Sequence, residues 1–104
     1  MKIAFTMTLR TGNEQEYQRR HSPIWAELKE LLRSKGVTSY SIFLDPHTGV
    51  LFAYAEIEDL ARWQSIADDP ICRKWWDHMA PLMAVNDDRS PKSTSLEQVF
   101  DLDW

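Results

Sequence analysis

The sequence is poor in the residues that several kinds of functional site require. It has one cysteine, Cys72, and three glycines among 104 residues. A single cysteine excludes an internal disulfide, and three dispersed glycines do not form a phosphate-binding loop. The three histidines are dispersed too, and no HExxH, CxxC or EF-hand spacing occurs. We therefore predict neither a bound metal nor a bound nucleotide.

Charge and hydropathy weigh against two further classes of partner. The formal net charge is −4, and the lysines and arginines are interleaved with acidic residues, which does not suit nucleic acid. No apolar run approaches the length needed to cross a bilayer, and the opening segment MKIAFTMTLR lacks a signal-peptide pattern. We expect a cytoplasmic protein that binds neither nucleic acid nor membrane.

What the sequence does contain is a large aromatic content in a short chain. Apolar residues make up 43% of the sequence and aromatic residues 12%. A chain of 104 residues with this composition predicts a single domain, residues 1–104, with one core. Five tryptophans are available to fill that core or to line a pocket: Trp25, Trp63, Trp75, Trp76 and Trp104.

The first third of the chain predicts one strand and two helices. Apolar residues alternate from Ile3 to Leu9, which indicates a strand with one buried face. The segment from Thr11 to Glu14 matches a capping box, so a helix should begin near Thr11. Ser22-Pro23 predicts a second helix, with Ser22 as N-cap and Pro23 in the first turn, and Gly36 ends it.

The middle of the chain predicts a hairpin followed by two helices. Residues 37–44 and 50–57 are strand-like and flank a turn, so they should pair. Asp59 is a suitable cap for a short helix that ends near Ala67. Asp69-Pro70 predicts the start of another helix.

The end of the chain predicts a polar loop over residues 84–94 and a last strand over residues 96–102. The resulting order, β-α-β-β-α-β with each helical region broken in two, is typical of a ferredoxin-like α+β fold. That fold is an antiparallel sheet with helices on one face. Because the other face would expose apolar surface, we expect a second copy to cover it, as in a dimeric α+β barrel.

His21 is the residue most indicative of chemistry. It lies in EYQRRHSPIW, at the junction between the two predicted helices, and Tyr17 precedes it by one helical turn. A helix C-terminus favours the protonated imidazole, so we expect the pKa of His21 to lie near or above neutrality. Such a group suits proton transfer to an oxygen. The alternative is an ordinary surface or capping histidine.

Aromatic residues supply the other candidates. Trp75 and Trp76 are adjacent, so in a helix they point about 100° apart and cannot share one core line. Either Trp75 packs while Trp76 contacts a partner, or at least one indole stacks against the apolar face of a sugar. Tyr40 is either a core residue or a ligand contact, and Cys72 fits buried packing better than nucleophilic chemistry.

Several segments resemble the L-rhamnose mutarotases over essentially the whole chain. They are EYQRRHSPIWAEL, GVTSYSIFLD, LFAYAEIED, CRKWWDHM and SLEQVF. The resemblance implies a dimeric ferredoxin-like fold. It also implies an enzyme that interconverts the α and β anomers of L-rhamnose without a metal or an organic cofactor.

The resemblance also implies residue roles. His21 matches the proton donor of the family. The positions that match sugar contacts are Tyr17, Tyr40, Trp75 and Trp76. Two departures leave the exact sugar preference open: Ser22 stands where the family often has Asn, and Ala26 where it often has Pro.

Mutarotation requires a proton at the ring oxygen and loss of another from the anomeric hydroxyl. We expect His21 to supply the first proton, whereas Tyr17, Tyr40 or a bound water could handle the second. Other functions on the same architecture are a cofactor-free monooxygenase or haem-degrading enzyme, a sugar-binding module and a purely structural dimer.

Overall fold

A computed structural model describes residues 1–102 and shows a four-stranded antiparallel sheet with helices on one face. Trp104 lies outside the described residues. The strands are β1 (Lys2–Thr8), β2 (Val37–Leu44), β3 (Val50–Ile57) and β4 (Thr94–Leu96), in the order β2-β3-β1-β4. The helices are α1 (Glu14–Arg20), α2 (Ala26–Ser34), α3 (Leu60–Ser65) and α4 (Pro70–Met79). This architecture confirms the predicted ferredoxin-like α+β fold.

The inner face of the sheet supplies much of the core. Met7 on β1 and Leu9, directly after it, are buried, as the alternation of apolar residues predicts. The central positions of β3 on this face are the buried alanines Ala53 and Ala55. Ala55 is paired with Tyr40, so a small side chain lies beside a large aromatic one. Both alanines are almost completely covered, at 1% and 0% exposed, so this part of the sheet belongs to the packed core.

The hairpin of β2 and β3 has the predicted bounds. Its turn is closed by a hydrogen bond from the Gly49 amide to the Asp45 carbonyl at 2.9 Å. Gly49 has a φ of +77°, and a Cβ there would lie 3.0 Å from the carbonyl oxygen of Leu9. The turn therefore needs glycine both for its backbone conformation and for the close approach of β1.

The caps of α3 and α4 are also as predicted. The Asp59 carboxylate accepts a hydrogen bond from the Arg62 amide at 2.9 Å. The Asp69 carboxylate accepts one from the Ile71 amide at 2.8 Å, with Pro70 in the first turn of α4. A carboxylate at this position satisfies an amide that has no partner within the helix and favours the helix dipole.

The predicted starts of α1 and α2 are wrong by about one turn. Gly12 has a φ of +89°, which places Thr11 in a turn, and α1 begins only at Glu14. The Ser22 amide donates to the Arg19 carbonyl and so completes the last turn of α1. The N-cap position of α2 is Trp25, so Ser22 does not cap that helix. The Ser22–Pro23 bond is cis, and α2 begins at residue 26.

The predicted last strand is also wrong in its extent. Only three residues, Thr94–Leu96, pair with β1, and residues 97–102 lie outside any strand. Beyond β4, Asp101 forms an exposed ion pair with Lys2 of β1 at 2.9 Å. The apolar residues of this segment face solvent, and Val99 is 92% exposed.

Candidate active site

The five predicted site residues all border one wide cavity, and ring contacts join Tyr17, His21 and Trp75 directly. Tyr17 lies on α1 and His21 directly follows that helix, Tyr40 lies on the inner face of β2, and Trp75 and Trp76 lie on α4. The fold thus brings together side chains from three elements that are distant in the sequence.

His21 is fixed by three contacts. Its Nδ1 lies 2.8 Å from the Tyr17 carbonyl oxygen, and its ring stacks on the Tyr17 ring with centroids 4.2 Å apart. The ring is also nearly perpendicular to that of Trp75, with centroids 5.2 Å apart. A carbonyl oxygen only accepts hydrogen bonds, so Nδ1 carries the hydrogen. In the neutral ring Nε2 is then the unprotonated nitrogen, and it is the atom that can exchange a proton.

The pKa of His21 is lowered, which corrects the expectation from its position at a helix end. Burial against Tyr17 and Trp75 disfavours the charged imidazolium, and this effect exceeds the opposing effect of the hydrogen bond to the Tyr17 carbonyl. The sequence shows the helix end but not the aromatic enclosure around it. The protonated ring is consequently a stronger acid than a free histidine.

The two tyrosines are held in their neutral form. Burial raises the pKa of Tyr17 and of Tyr40 well above the usual range. For Tyr40, the nearby Tyr17 and Cys72 add to this effect. Their hydroxyl groups can therefore donate and accept hydrogen bonds to a polar ligand, but a phenolate is strongly disfavoured.

The adjacent tryptophans have different surroundings. Trp75 is buried, and its ring is nearly perpendicular to that of Trp25, with the two ring centroids 5.1 Å apart. Trp76 is half-buried, and the guanidinium of Arg73 lies 5.0 Å from the centre of its ring. The 100° step of the helix thus buries the Trp75 indole more deeply than the Trp76 indole, although both border the cavity.

Two further aromatic residues line the cleft and were not predicted as site residues. Phe5 and Trp63 surround Tyr40, with ring centroids 6.4 Å and 5.7 Å from it. Phe5 shares the buried alternation of β1, and Trp63 is the one aromatic residue of α3, but neither signal points to a pocket. Cys72 also lines the cleft, and burial raises the pKa of its thiol to about 11, which is unfavourable for a nucleophile.

Residues 1–102 contain neither a candidate metal-binding cluster nor a helix that could span a membrane. This part of the chain contains no group of three or more histidine, cysteine, aspartate or glutamate residues placed to hold a metal ion. Across the same range, every helix is too short or too polar to cross a membrane.

Comparison with known proteins identifies the family. The family model described as L-rhamnose mutarotase matches residues 2–102. The chain belongs to the L-rhamnose mutarotase family. A relative from Opitutus terrae, named L-rhamnose mutarotase, is 55% identical over 103 residues and is matched over 99% of both chains. The resemblance seen in the sequence is therefore confirmed.

Two solved structures resemble this chain, one in both sequence and fold and the other in fold alone. The crystal structure of an L-rhamnose mutarotase from Formosa agariphila has a TM-score of 0.91 and 44% identity, over 99% of both chains. A candidate antibiotic biosynthesis monooxygenase from Nitrosomonas europaea has a TM-score of 0.63 at 13% identity, over 96% of this chain and 100% of its own. The second likeness concerns the fold alone.

Proposed function

We propose that this chain interconverts the α and β anomers of L-rhamnose, with His21 as the proton donor. The observation that carries the assignment is the fixed imidazole: its Nδ1 is occupied by the Tyr17 carbonyl, and its Nε2 makes no hydrogen bond within residues 1–102. A donor with a defined tautomer in an aromatic cleft suits general acid catalysis on a sugar oxygen.

The proposed reaction moves two protons and involves no change of oxidation state. Protonated Nε2 of His21 donates to the ring oxygen, the bond between C1 and that oxygen breaks, and the anomeric hydroxyl releases its proton as C1 becomes an aldehyde. Rotation about C1–C2 presents the other face of the carbonyl. Closure then returns one proton to Nε2 and places the other on the new anomeric hydroxyl.

The second proton needs a separate carrier. The hydroxyl groups of Tyr17 and Tyr40 are suited to a relay in which each accepts one proton while it passes on another, because both phenols are neutral. A bound water is the third option. Each of them avoids a phenolate, which the burial of both side chains disfavours.

An aromatic wall would suit a 6-deoxy sugar. We propose that Trp75 and Trp76 contact the apolar face and the C6 methyl group of the ring, and that Tyr17 and Tyr40 contact its hydroxyl groups. A methyl group gains from burial against an indole, whereas an apolar wall rejects an added hydroxyl only modestly. Discrimination against sugars with a 6-hydroxyl should therefore be incomplete.

We further propose that the chain acts as a single cytoplasmic domain that forms a homodimer. Large apolar side chains on the outer sheet face are exposed, among them Phe43, Phe52 and Leu96. A second copy of the sheet would cover them. The free thiol of Cys72 is compatible with a reducing compartment.

Magnetisation-transfer NMR between the anomers of L-rhamnose tests the function and the donor. We expect the wild type to raise the exchange rate above that of buffer, and His21→Ala to lower kcat by about 10²–10⁴-fold. His47→Ala is the matched control, because His47 lies exposed in the turn between β2 and β3. It should leave kcat unchanged.

Each outcome of this assay has a separate meaning. A wild-type rate equal to that of buffer rejects mutarotation, and sugar binding without exchange would then indicate a binding module. A His21→Ala variant as fast as wild type rejects only the donor assignment. A haem absorption band in the purified protein, or oxygen uptake with a phenolic substrate, would favour the alternative enzyme classes.

A further inference from the structure

The helix that presents His21 depends on contacts outside itself. α1 has seven residues, and a helix of this length is not stable alone in water. Tyr17 is its one buried residue, and His21 follows the last helical residue. The position of the His21 ring therefore depends on whatever holds the C-terminal end of α1 in place.

Arg20 connects that end of α1 to α4. Its Nε donates to Glu16 Oε2 at 2.6 Å, and its Nη1 donates to the backbone carbonyl of His78 near the end of α4. The carbonyl is a backbone acceptor on the helix that carries Trp75, the residue against which the edge of His21 packs. The Arg20 side chain is only 21% exposed, so the connection is shielded from solvent.

We propose that Arg20 is a positioning residue that holds the His21 ring against Trp75 by fastening the end of α1 to the His78 carbonyl. Only the expected effect on kcat rests on the proposed mutarotase function. The structural part of the proposal, the placement of the imidazole, can be measured independently.

Glu16 orients the guanidinium for this contact. Hydrogen bonds from Arg19 and Arg20 hold the pKa of the Glu16 carboxyl at about 2, so the carboxylate stays ionised across the working range of pH. It engages one edge of the Arg20 guanidinium and leaves Nη1 directed at α4. The planar, forked guanidinium serves both acceptors at once, which the single ammonium of lysine does less well.

Arg19 offers a matched comparison within the same helix. It too pairs with Glu16, through Nε at 2.8 Å to Oε1, but its side chain is 73% exposed and its ion pair stays within α1. Replacing Arg19 removes the same charge and two hydrogen bonds to the same carboxylate, against one for Arg20, yet leaves the connection to α4 intact. A difference between the two arginines therefore isolates the contact with His78.

The expected effect is on turnover rather than on binding. A displacement of about 1 Å of a catalytic group can cost about 10²-fold in rate. Tyr40, Trp75 and Trp76 lie on β2 and α4, outside the helix that Arg20 fastens. We expect Arg20→Gln to lower kcat by about 10- to 100-fold while KM changes by less than about threefold.

The experiment compares Arg20→Gln, Arg20→Lys and Arg19→Gln by magnetisation transfer at several L-rhamnose concentrations. In parallel, ¹H NMR follows the His21 ring protons, assigned with His21→Ala. Ring currents of Tyr17 and Trp75 displace these signals in the wild type. They should move toward the positions of an exposed histidine in Arg20→Gln and stay unchanged in Arg19→Gln. Arg20→Lys keeps the charge and should be intermediate in both measurements.

The proposal is overturned by either of two results. One is a folded Arg20→Gln or Arg20→Lys protein with the kcat and His21 signals of the wild type. The other is an equal loss in Arg19→Gln, which would attribute the effect to charge. If Arg20→Gln does not fold, Arg20→Lys decides. If the wild type shows no anomeric exchange, the proposed function fails, and the His21 signals alone decide whether Arg20 positions the ring.

Discussion

At the scale of single residues, His21 shows how a local rule is outweighed by its surroundings. A helix end favours the imidazolium by a modest amount, typically about 0.3–1 kcal/mol. Enclosure by the Tyr17 and Trp75 rings acts in the opposite direction and dominates, so the pKa is lowered. The direction of this shift determines how activity depends on pH.

We expect kcat/KM to fall as pH rises through a pKa below 6.5, the usual value for histidine. The donor form of His21 is protonated, so it is abundant below its folded pKa and is lost above it. Anomeric exchange rates measured from about pH 5 to about pH 8, corrected for buffer, would show this fall in kcat/KM. The His21→Ala variant should not show the fall. A kcat/KM that increases with pH over the same range would instead make the neutral imidazole the active form.

At the scale of secondary structure, the sequence predicts elements well where one signal acts alone. The bounds of β2 and β3 agree with the pattern, and the caps at Asp59 and Asp69 form as expected. Thr11 and Ser22 also resemble caps, but other backbone demands override them. Gly12 adopts a left-handed turn beside Thr11, and the Ser22 amide bonds back to α1. Such competition is not visible in a capping motif.

The caps therefore predict unequal effects of two similar substitutions. Asp69→Ala removes the N-cap of α4 and should lower the free energy of unfolding by about 1 kcal/mol, or the Tm by about 4–8 °C. Thr11→Ala should lower the free energy of unfolding and the Tm by much less, because Thr11 is exposed and lies three residues before α1. Thermal unfolding followed by circular dichroism compares them. An equal loss in both variants would mean that Thr11 contributes a contact of comparable strength.

At the scale of the whole molecule, the site depends on contacts between distant positions. Arg20 and His78 are 58 positions apart, and no periodicity links them. Likewise, Phe5 and Trp63 enclose Tyr40 only because β1, β2 and α3 meet. The sequence and the family resemblance indicate which residues could do chemistry. The residues that hold them in place become apparent only when the chain is folded.

The outer face of the sheet leads to a prediction about assembly. Phe43 and Phe52 are direct neighbours across β2 and β3, and the side chains of both are exposed. An exposed apolar pair on an uncovered sheet face is unfavourable in water. We expect the wild type to sediment at twice the chain mass of 12.2 kDa.

A charge on this face should separate the two copies. Phe52→Lys, where Phe52 is 44% exposed, should sediment as a monomer because a lysine facing its symmetry-related sheet would be desolvated and repelled. Leu60→Lys is the matched control: Leu60 is 42% exposed but lies on α3, in the helical layer. It should remain dimeric. If the wild type is already a monomer, or if Leu60→Lys dissociates as readily as Phe52→Lys, the sheet face is not the interface.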